Sequence, residues 1–239
     1  MKRILISIMI WTVSTILIIV LFFAMLFFSV VLFFSDKQRK MAHAQCFWWA
    51  DAMFKLNPYW SVSVSGLENI DRTKTYVIVA NHQSLADIIV LYKMKMQYKW
   101  VAKESLFRIP FLGWCMTLGK HIKLYRGNFG SIKQVYREAA ILLREGMSVL
   151  FFPEGTRSET NTMKEFQNGA FKLAIKERVP VLPIAISGTG NAMPKGSWLF
   201  EPNIPAKLKV LPPIDTTQFA MADFDKLKDM AHSMIKCAR

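Results

Sequence analysis

Residues 76–87 read Tyr76-Val77-Ile78-Val79-Ala80-Asn81-His82-Gln83-Ser84-Leu85-Ala86-Asp87. The first five are apolar and include three β-branched side chains in a row, the signature of a buried strand. The polar turn after Ala80 breaks that strand, and the apolar stretch from Ile88 to Met96 reads as a helix. A strand feeding a helix through a short turn is a unit of an α/β sheet, and such sheets place their sites in loops beyond the strand C-termini. His82 and Asp87 sit in this loop. An imidazole titrates near neutrality and can take a proton from a hydroxyl. A carboxylate on its other nitrogen fixes the tautomer and stabilises the cation that forms. On one continuous helix, positions five apart are rotated by about 140° and do not share a face. His82 therefore belongs in the turn, with Asp87 reaching back from the first turn of the helix. A second reading stands beside this one: Ser84 to Asp87 also fits a capping box, in which Asp87 serves the helix end.

Working outward, strands and helices alternate. Trp60 to Val64, Trp100 to Ala102, His121 to Tyr125, Ser148 to Phe152, Val181 to Ser187 and Lys207 to Leu211 read as strands. Ser131 to Leu143, Gln167 to Arg178 and Asp223 to Lys236 read as helices, with Gly146 beyond the end of the first. The expected fold class is α/β, a central mixed sheet flanked by helices.

Ahead of the sheet, Ile4 to Phe34 runs for 31 residues without a charge. About 20 apolar residues cross a bilayer, and the run is too long for a signal-peptide core or an ordinary core helix, so it reads as a membrane anchor. Residues 36 to 56 read as a second, amphipathic helix with Phe47, Trp48, Trp49 and Phe54 on it. Its pattern suits the headgroup region and equally suits a core helix. Asn57-Pro58 ends it. The expected division is a membrane anchor and interfacial helix over residues 1–57 and a catalytic α/β domain over 58–239. The positive-inside rule leans towards a cytoplasmic catalytic domain, with Lys37, Arg39 and Lys40 following the anchor.

Thirty-one Lys and Arg against 17 Asp and Glu give a net charge of +14, which points to an anionic partner. An apolar share of 52% and the absence of a Lys/Arg tract argue for a membrane surface or a phosphorylated substrate and against nucleic acid. Cys46, Cys115 and Cys237 are far apart and form no CxxC pair, so neither a disulfide framework nor a metal site is expected.

The second informative stretch is Phe151-Phe152-Pro153-Glu154-Gly155-Thr156-Arg157-Ser158. Glycine allows close backbone approach, and a threonine hydroxyl with an arginine fork suits a phosphate. A strand-end turn with a surface Glu–Arg pair fits the same residues. Lys103 and Arg126 add cations after strands. No Gly-x-Ser-x-Gly elbow of a serine hydrolase is present.

Together these stretches resemble the glycerophospholipid acyltransferase family, in particular its 1-acylglycerol-3-phosphate acyltransferases, over about residues 60 to 200. His82 through Asp87 matches the family's His-x4-Asp motif, and Phe152 to Ser158 its Phe-Pro-Glu-Gly-Thr-Arg motif. Val179 to Ala185 is similar to its proline-containing strand. Gly119 to Arg126 departs from the remaining motif, being one residue longer. The resemblance implies transfer of a fatty acyl group from acyl-CoA or acyl carrier protein to the sn-2 hydroxyl of lysophosphatidic acid. His82 would be the base and Asp87 its orienter. Lys103, Arg126, Glu154, Gly155, Thr156 and Arg157 would form the substrate-phosphate site. No cofactor or metal is implied beyond the thioester co-substrate. The expected setting is a membrane, of the bacterial inner-membrane kind, with membrane lipids as neighbours. Another lysolipid acceptor, such as a lysophosphatidylethanolamine or lyso-ornithine lipid, fits the same motifs; a non-catalytic lipid-binding protein is the alternative in a different class. The apolar stretch from Leu106 to Trp114 would line an acyl path, touch lipid or serve as core.

Overall fold

The computed structural model describes residues 1–56, 60–125, 127, 129–158, 162–193, 197–201 and 203–239. The Asn57-Pro58 junction and Arg126 lie outside the described residues.

The charge-free N-terminal run forms one helix, α1 (Lys2–Val31). Asp36 then starts α2 (Lys40–Lys55): its carboxylate accepts the backbone N–H of Lys40 and of Met41, each at 2.8 Å. That satisfies two of the donors a helix start leaves open. Ala42, His43, Cys46, Trp49, Ala50 and Met53 are buried, a spacing of three and four that makes one face of α2 a core face. This helix is therefore packed into the protein along that side.

The strands are β1 (Trp60–Ser65), β2 (Val77–Ala80), β3 (Tyr98–Lys103), β4 (Ile122–Leu124), β5 (Ser148–Phe151), β6 (Val181–Ser187) and β7 (Ile204–Val210). They form a mixed sheet in the order β1-β7-β6-β2-β5-β3-β4, parallel throughout except between β6 and β7. Between them lie α3 (Ala86–Leu91), α4 (Leu112–Leu118), α5 (Phe129–Arg144) and α6 (Gly169–Glu177), with α7 (Phe224–Ala238) at the end. The helix expected over Ile88 to Met96 is shorter: α3 gives way to a 3-10 turn at Tyr92–Met94, and Lys95 takes a φ of 47° that ends it.

The period-two alternation of β2 divides the core in two. Ile78 and Ala80 face a cluster that includes α1, α2 and α3. Val77 and Val79 face a second cluster built with α5, α6 and α7. Two neighbouring strands thus send their connections to opposite faces. β2 leads through α3 on one face, and β5 leads through α6 on the other. The gap between the C-terminal ends of β2 and β5 is a topological switch point, where a sheet of this kind opens a crevice.

α1 is tied to the segment before β7. Trp11 Nε1 donates to the Trp198 carbonyl at 2.8 Å, Phe200 N donates to Ser7 Oγ at 2.9 Å, and Arg3 pairs with Glu201 at 2.7 Å. One side of α1 is buried through Ile10, Leu21 and Met25, while Leu5, Ile8, Phe23, Phe27 and Val30 are exposed.

Candidate active site

The loop after β2 is pinned before it reaches His82. Asn81 is fully buried, and its amide accepts from Ile186 N at 2.8 Å and donates to Ile186 O at 2.9 Å. This clamp joins the end of β2 to the end of β6. His82 emerges next, and Asp87 lies in the first turn of α3. His82 Nδ1 and Asp87 Oδ2 are 2.8 Å apart, with Asp87 fully buried and the His82 side chain 15% exposed. The same carboxylate oxygen accepts the backbone N–H of Gln83 at 2.6 Å and of Ser84 at 2.9 Å. Asp87 thus serves the histidine and the backbone ahead of the helix together, but the capping box is not completed: α3 starts after Leu85 with no side-chain cap bond.

Two further contacts set the imidazole. Its ring stacks on Phe152, with centroids 3.9 Å apart and planes 14° from parallel. Phe152 in turn stacks on Trp100 at 5.7 Å. On the far side, Thr189 Oγ1 donates to Asp87 Oδ1 at 2.5 Å from a fully buried position. Thr189 follows β6 and lies 102 positions from Asp87, so local pattern does not reveal it. With Nδ1 held by the carboxylate, Nε2 is the nitrogen left for chemistry.

Glu154, expected among the phosphate-binding residues, is instead a brace. Its carboxylate accepts His82 N at 2.7 Å, Ser158 Oγ at 2.7 Å and Lys164 N at 2.9 Å. Ser158 N donates back to the His82 carbonyl at 2.9 Å. A buried carboxylate already holding three donors is an acceptor with no reason to approach a phosphate. It welds the two motif loops together. Among the described residues it makes no ion pair with Arg157.

Gly155 has φ of +73° and open space where a Cβ would stand. Its glycine is required by that left-handed backbone. Its N–H donates to the Phe152 carbonyl at 3.0 Å, so this amide closes the turn. Thr156 Oγ1 accepts from Lys164 Nζ at 2.9 Å, a cation the sequence reading left out. Arg157 is half-buried, and its Nη1 is buried without a hydrogen-bond partner. Lys103 ends β3 and is exposed.

One cavity of about 1440 Å³ passes through the crevice. His82, Lys103 and Gly155 line it, whereas Thr156 and Arg157 do not. Towards α1 its wall is apolar, from Ile18 and Leu21 of α1 to Leu106, Ile109 and Phe111. The Leu106 to Trp114 stretch therefore lines the cavity, with Phe111 and Trp114 packed on Phe22 of α1 at 5.6 and 5.4 Å. Beneath that wall lies a buried group of bases. Burial, with the charge of Lys99 nearby, pushes the His43 imidazole down to about 3, against the pull of its Gln97 hydrogen bond. Burial also pushes His121 well below its ordinary value. Burial brings the fully buried Lys99 ammonium down to about 8.

The crevice thus holds a His–Asp pair, a glycine turn and an apolar arm, and sequence comparison supplies the family. The profile of the family described as Acyltransferase matches residues 61–187, more than half of the chain, and the chain belongs to that family. It is 39% identical over 168 residues to a chloroplastic 1-acyl-sn-glycerol-3-phosphate acyltransferase of Brassica napus, covering 70% of this chain and 48% of that one. It is also 39% identical over 192 residues to a 1-acyl-sn-glycerol-3-phosphate acyltransferase of Chlamydomonas reinhardtii, covering 80% and 57%. The crystal structure of the 1-acyl-sn-glycerophosphate acyltransferase of Thermotoga maritima superimposes with a TM-score of 0.86 at 29% identity, over 99% of this chain and 94% of that one. The chain spans about half the length of the curated plant and algal relatives it matches.

Proposed function

We propose that the protein acylates the sn-2 hydroxyl of lysophosphatidic acid, giving phosphatidic acid, with acyl-CoA or acyl carrier protein as donor. The observation that carries this reading is the His82–Asp87 pair, braced from three sides in the wall of a cavity with an apolar arm. His82 Nε2 takes the proton of the acceptor hydroxyl as its oxygen attacks the thioester carbonyl. Asp87 stabilises the imidazolium. The tetrahedral intermediate collapses, the thiolate leaves, and the imidazolium returns the proton to it. Lys103, Arg157, Thr156 and Arg126 are the residues we assign to the acceptor phosphate, with Lys164 beside Thr156. Fixing the phosphate places the hydroxyl against the base, which is a contribution of position. Arg157 Nη1, buried and unpartnered, supports that assignment.

We further propose that α1 holds the enzyme in a membrane, with the catalytic sheet on the cytoplasmic side. Its length, its hydropathy and its exposed apolar face support this. The test is acyl transfer from labelled palmitoyl-CoA to lysophosphatidic acid by detergent-purified protein, beside His82→Ala. Labelled phosphatidic acid from the parent and a drop of at least about a hundred-fold in the variant are expected, the usual worth of a positioned general base. Equal rates would remove His82 from the mechanism.

A further inference from the structure

The cavity does not end at His82. It crosses the crest of the sheet between β2 and β5 and continues down the opposite face, in a groove between α5 and α6. The two arms differ in chemistry. The arm against α1 and α4 is apolar, whereas the second arm is walled by Lys133 and Arg137 of α5 and by Lys172 and Lys176 of α6. All four are exposed. Within each helix the two cations are four residues apart, so each pair shares a face and the two pairs line opposite walls. The floor is Tyr136, Ala140 and Leu173. Among the described residues the acid in the lining is Glu177, and it is already paired. Its carboxylate takes Arg144 Nε at 2.7 Å and Nη2 at 2.8 Å. Lys172 is held at the wall by the Phe224 ring, 4.0 Å from its ammonium.

We propose that this groove binds the nucleotide end of coenzyme A, so that the thioester bridges the crest at His82 with its acyl chain in one arm and its phosphates in the other. The proposal rests on the acyl-transfer reading above. Three observations select the ligand class. The groove is continuous with the site, so its occupant reaches His82. From Lys133 to Arg144 it runs about 16 Å at 1.5 Å per residue, which suits an elongated conjugate and not a single phosphate. An apolar floor between cationic walls fits a chain of amides and methylenes ending in a diphosphate and a 3′-phosphate. The position also argues against lipid headgroups, because α5 and α6 pack on the face of the sheet opposite to α1 and α2. A carrier protein would dock on a convex patch outside the mouth, not on the inner walls of a groove.

The test uses the full chain in detergent with Arg137→Glu, Lys172→Glu and the conservative Lys172→Arg. Palmitoyl-CoA is varied at saturating lysophosphatidic acid, then the reverse, and free coenzyme A is titrated by calorimetry. Each charge reversal is expected to raise KM for palmitoyl-CoA by about ten-fold or more, since it removes a charge-assisted contact and adds a repulsive one. KM for lysophosphatidic acid and kcat should stay within about two-fold, the pattern of lost ground-state binding. Lys172→Arg should behave as the parent, and coenzyme A affinity should fall in step with KM. An unchanged KM for palmitoyl-CoA would overturn the proposal. So would a shift confined to lysophosphatidic acid or to acyl carrier protein, or a parent that does not bind coenzyme A. A parent that binds coenzyme A through these residues but transfers no acyl group would instead sink the acyl-transfer reading and leave the groove standing.

Discussion

Replacing Asp87 by asparagine separates the electrostatic part of the site from its architecture. The carboxylate divides its work between its oxygens: Oδ2 accepts His82 Nδ1, Gln83 N and Ser84 N, and Oδ1 accepts the Thr189 hydroxyl. An asparagine oxygen can occupy the Oδ2 position and keep the backbone bonds. Its NH2 then meets Thr189 Oγ1, whose hydroxyl can turn to accept. The helix start survives, and the negative charge is lost. At about 4 Å between charge centres and an effective dielectric near 20, that charge is worth about 4 kcal/mol to the imidazolium. At about 1.4 kcal/mol per decade, kcat should fall about a thousand-fold. Screening subtracts little, since Asp87 is fully buried and His82 nearly so. The assay is kcat for labelled palmitoyl transfer with circular-dichroism melting as the control. A melting temperature within a few degrees of the parent and a rate within ten-fold of it would refute the pairing as a source of catalysis.

Four other changes follow from the same structure. Thr189→Val leaves a buried carboxylate oxygen without its donor and should cost about 1–3 kcal/mol of stability, read from denaturant melts. It should also lower kcat with little change in KM, because Thr189 acts through Asp87. Glu154→Ala removes the acceptor of His82 N, Ser158 Oγ and Lys164 N; proteolysis of the 152–164 loop should accelerate and kcat should drop. Gly155→Ala puts a side chain on a φ of +73° and should cost about 1–2 kcal/mol in melts without a steric clash. Acid should destabilise the protein well before its carboxylates protonate. His43 is held at about 3 in the fold against an ordinary 6.5, so below 6.5 the unfolded chain binds a proton the folded one refuses. Stability falls from pH 6.5 towards 3, by about 2 kcal/mol on reaching pH 5, and His121 adds the same sign. His43→Phe should flatten the melting temperature over that range.

The parts of this fold that were legible in the sequence are those that repeat locally. Val77 to Ala80, Ser148 to Phe151 and Val181 to Ser187 appear as strands because both faces are buried, and α5 because its apolar stripe recurs every three to four residues. His82 and Asp87 were legible because their spacing across a strand-to-helix turn permits the pair, with a capping box as the rival reading. The rest depends on partners distant in the chain. Asn81 clamps Ile186 from 105 positions away, and Glu154 reaches His82 from 72. Neither leaves a periodic trace. The family resemblance placed Glu154 with the phosphate site, and nothing local in the sequence announces that its carboxylate is buried and holds three donors. The composition of α2 could not separate an interfacial helix from a core helix; the structure shows that one of its faces is buried. Lys164 lay outside the motif and enters the loop only because the chain folds back on Thr156.

The sheet order has a consequence for synthesis. β2 at the centre pairs with β5 and β6, and β1 pairs with β7, whose first bonded residue is Ile204. On the ribosome, Trp60 to Ser65 therefore emerges about 140 residues before its partner, while at least α1 can form as soon as it leaves the exit tunnel. The nascent chain waits with an unpaired strand edge of alternating serine and valine, a polar outward row that discourages edge-to-edge association. Closure of the sheet, and with it the capture of Trp11 and Arg3 by residues 198–201, waits until residues 198–210 have been made. A chain halted before residue 198 would carry α1 ready made and β1 still without its partner.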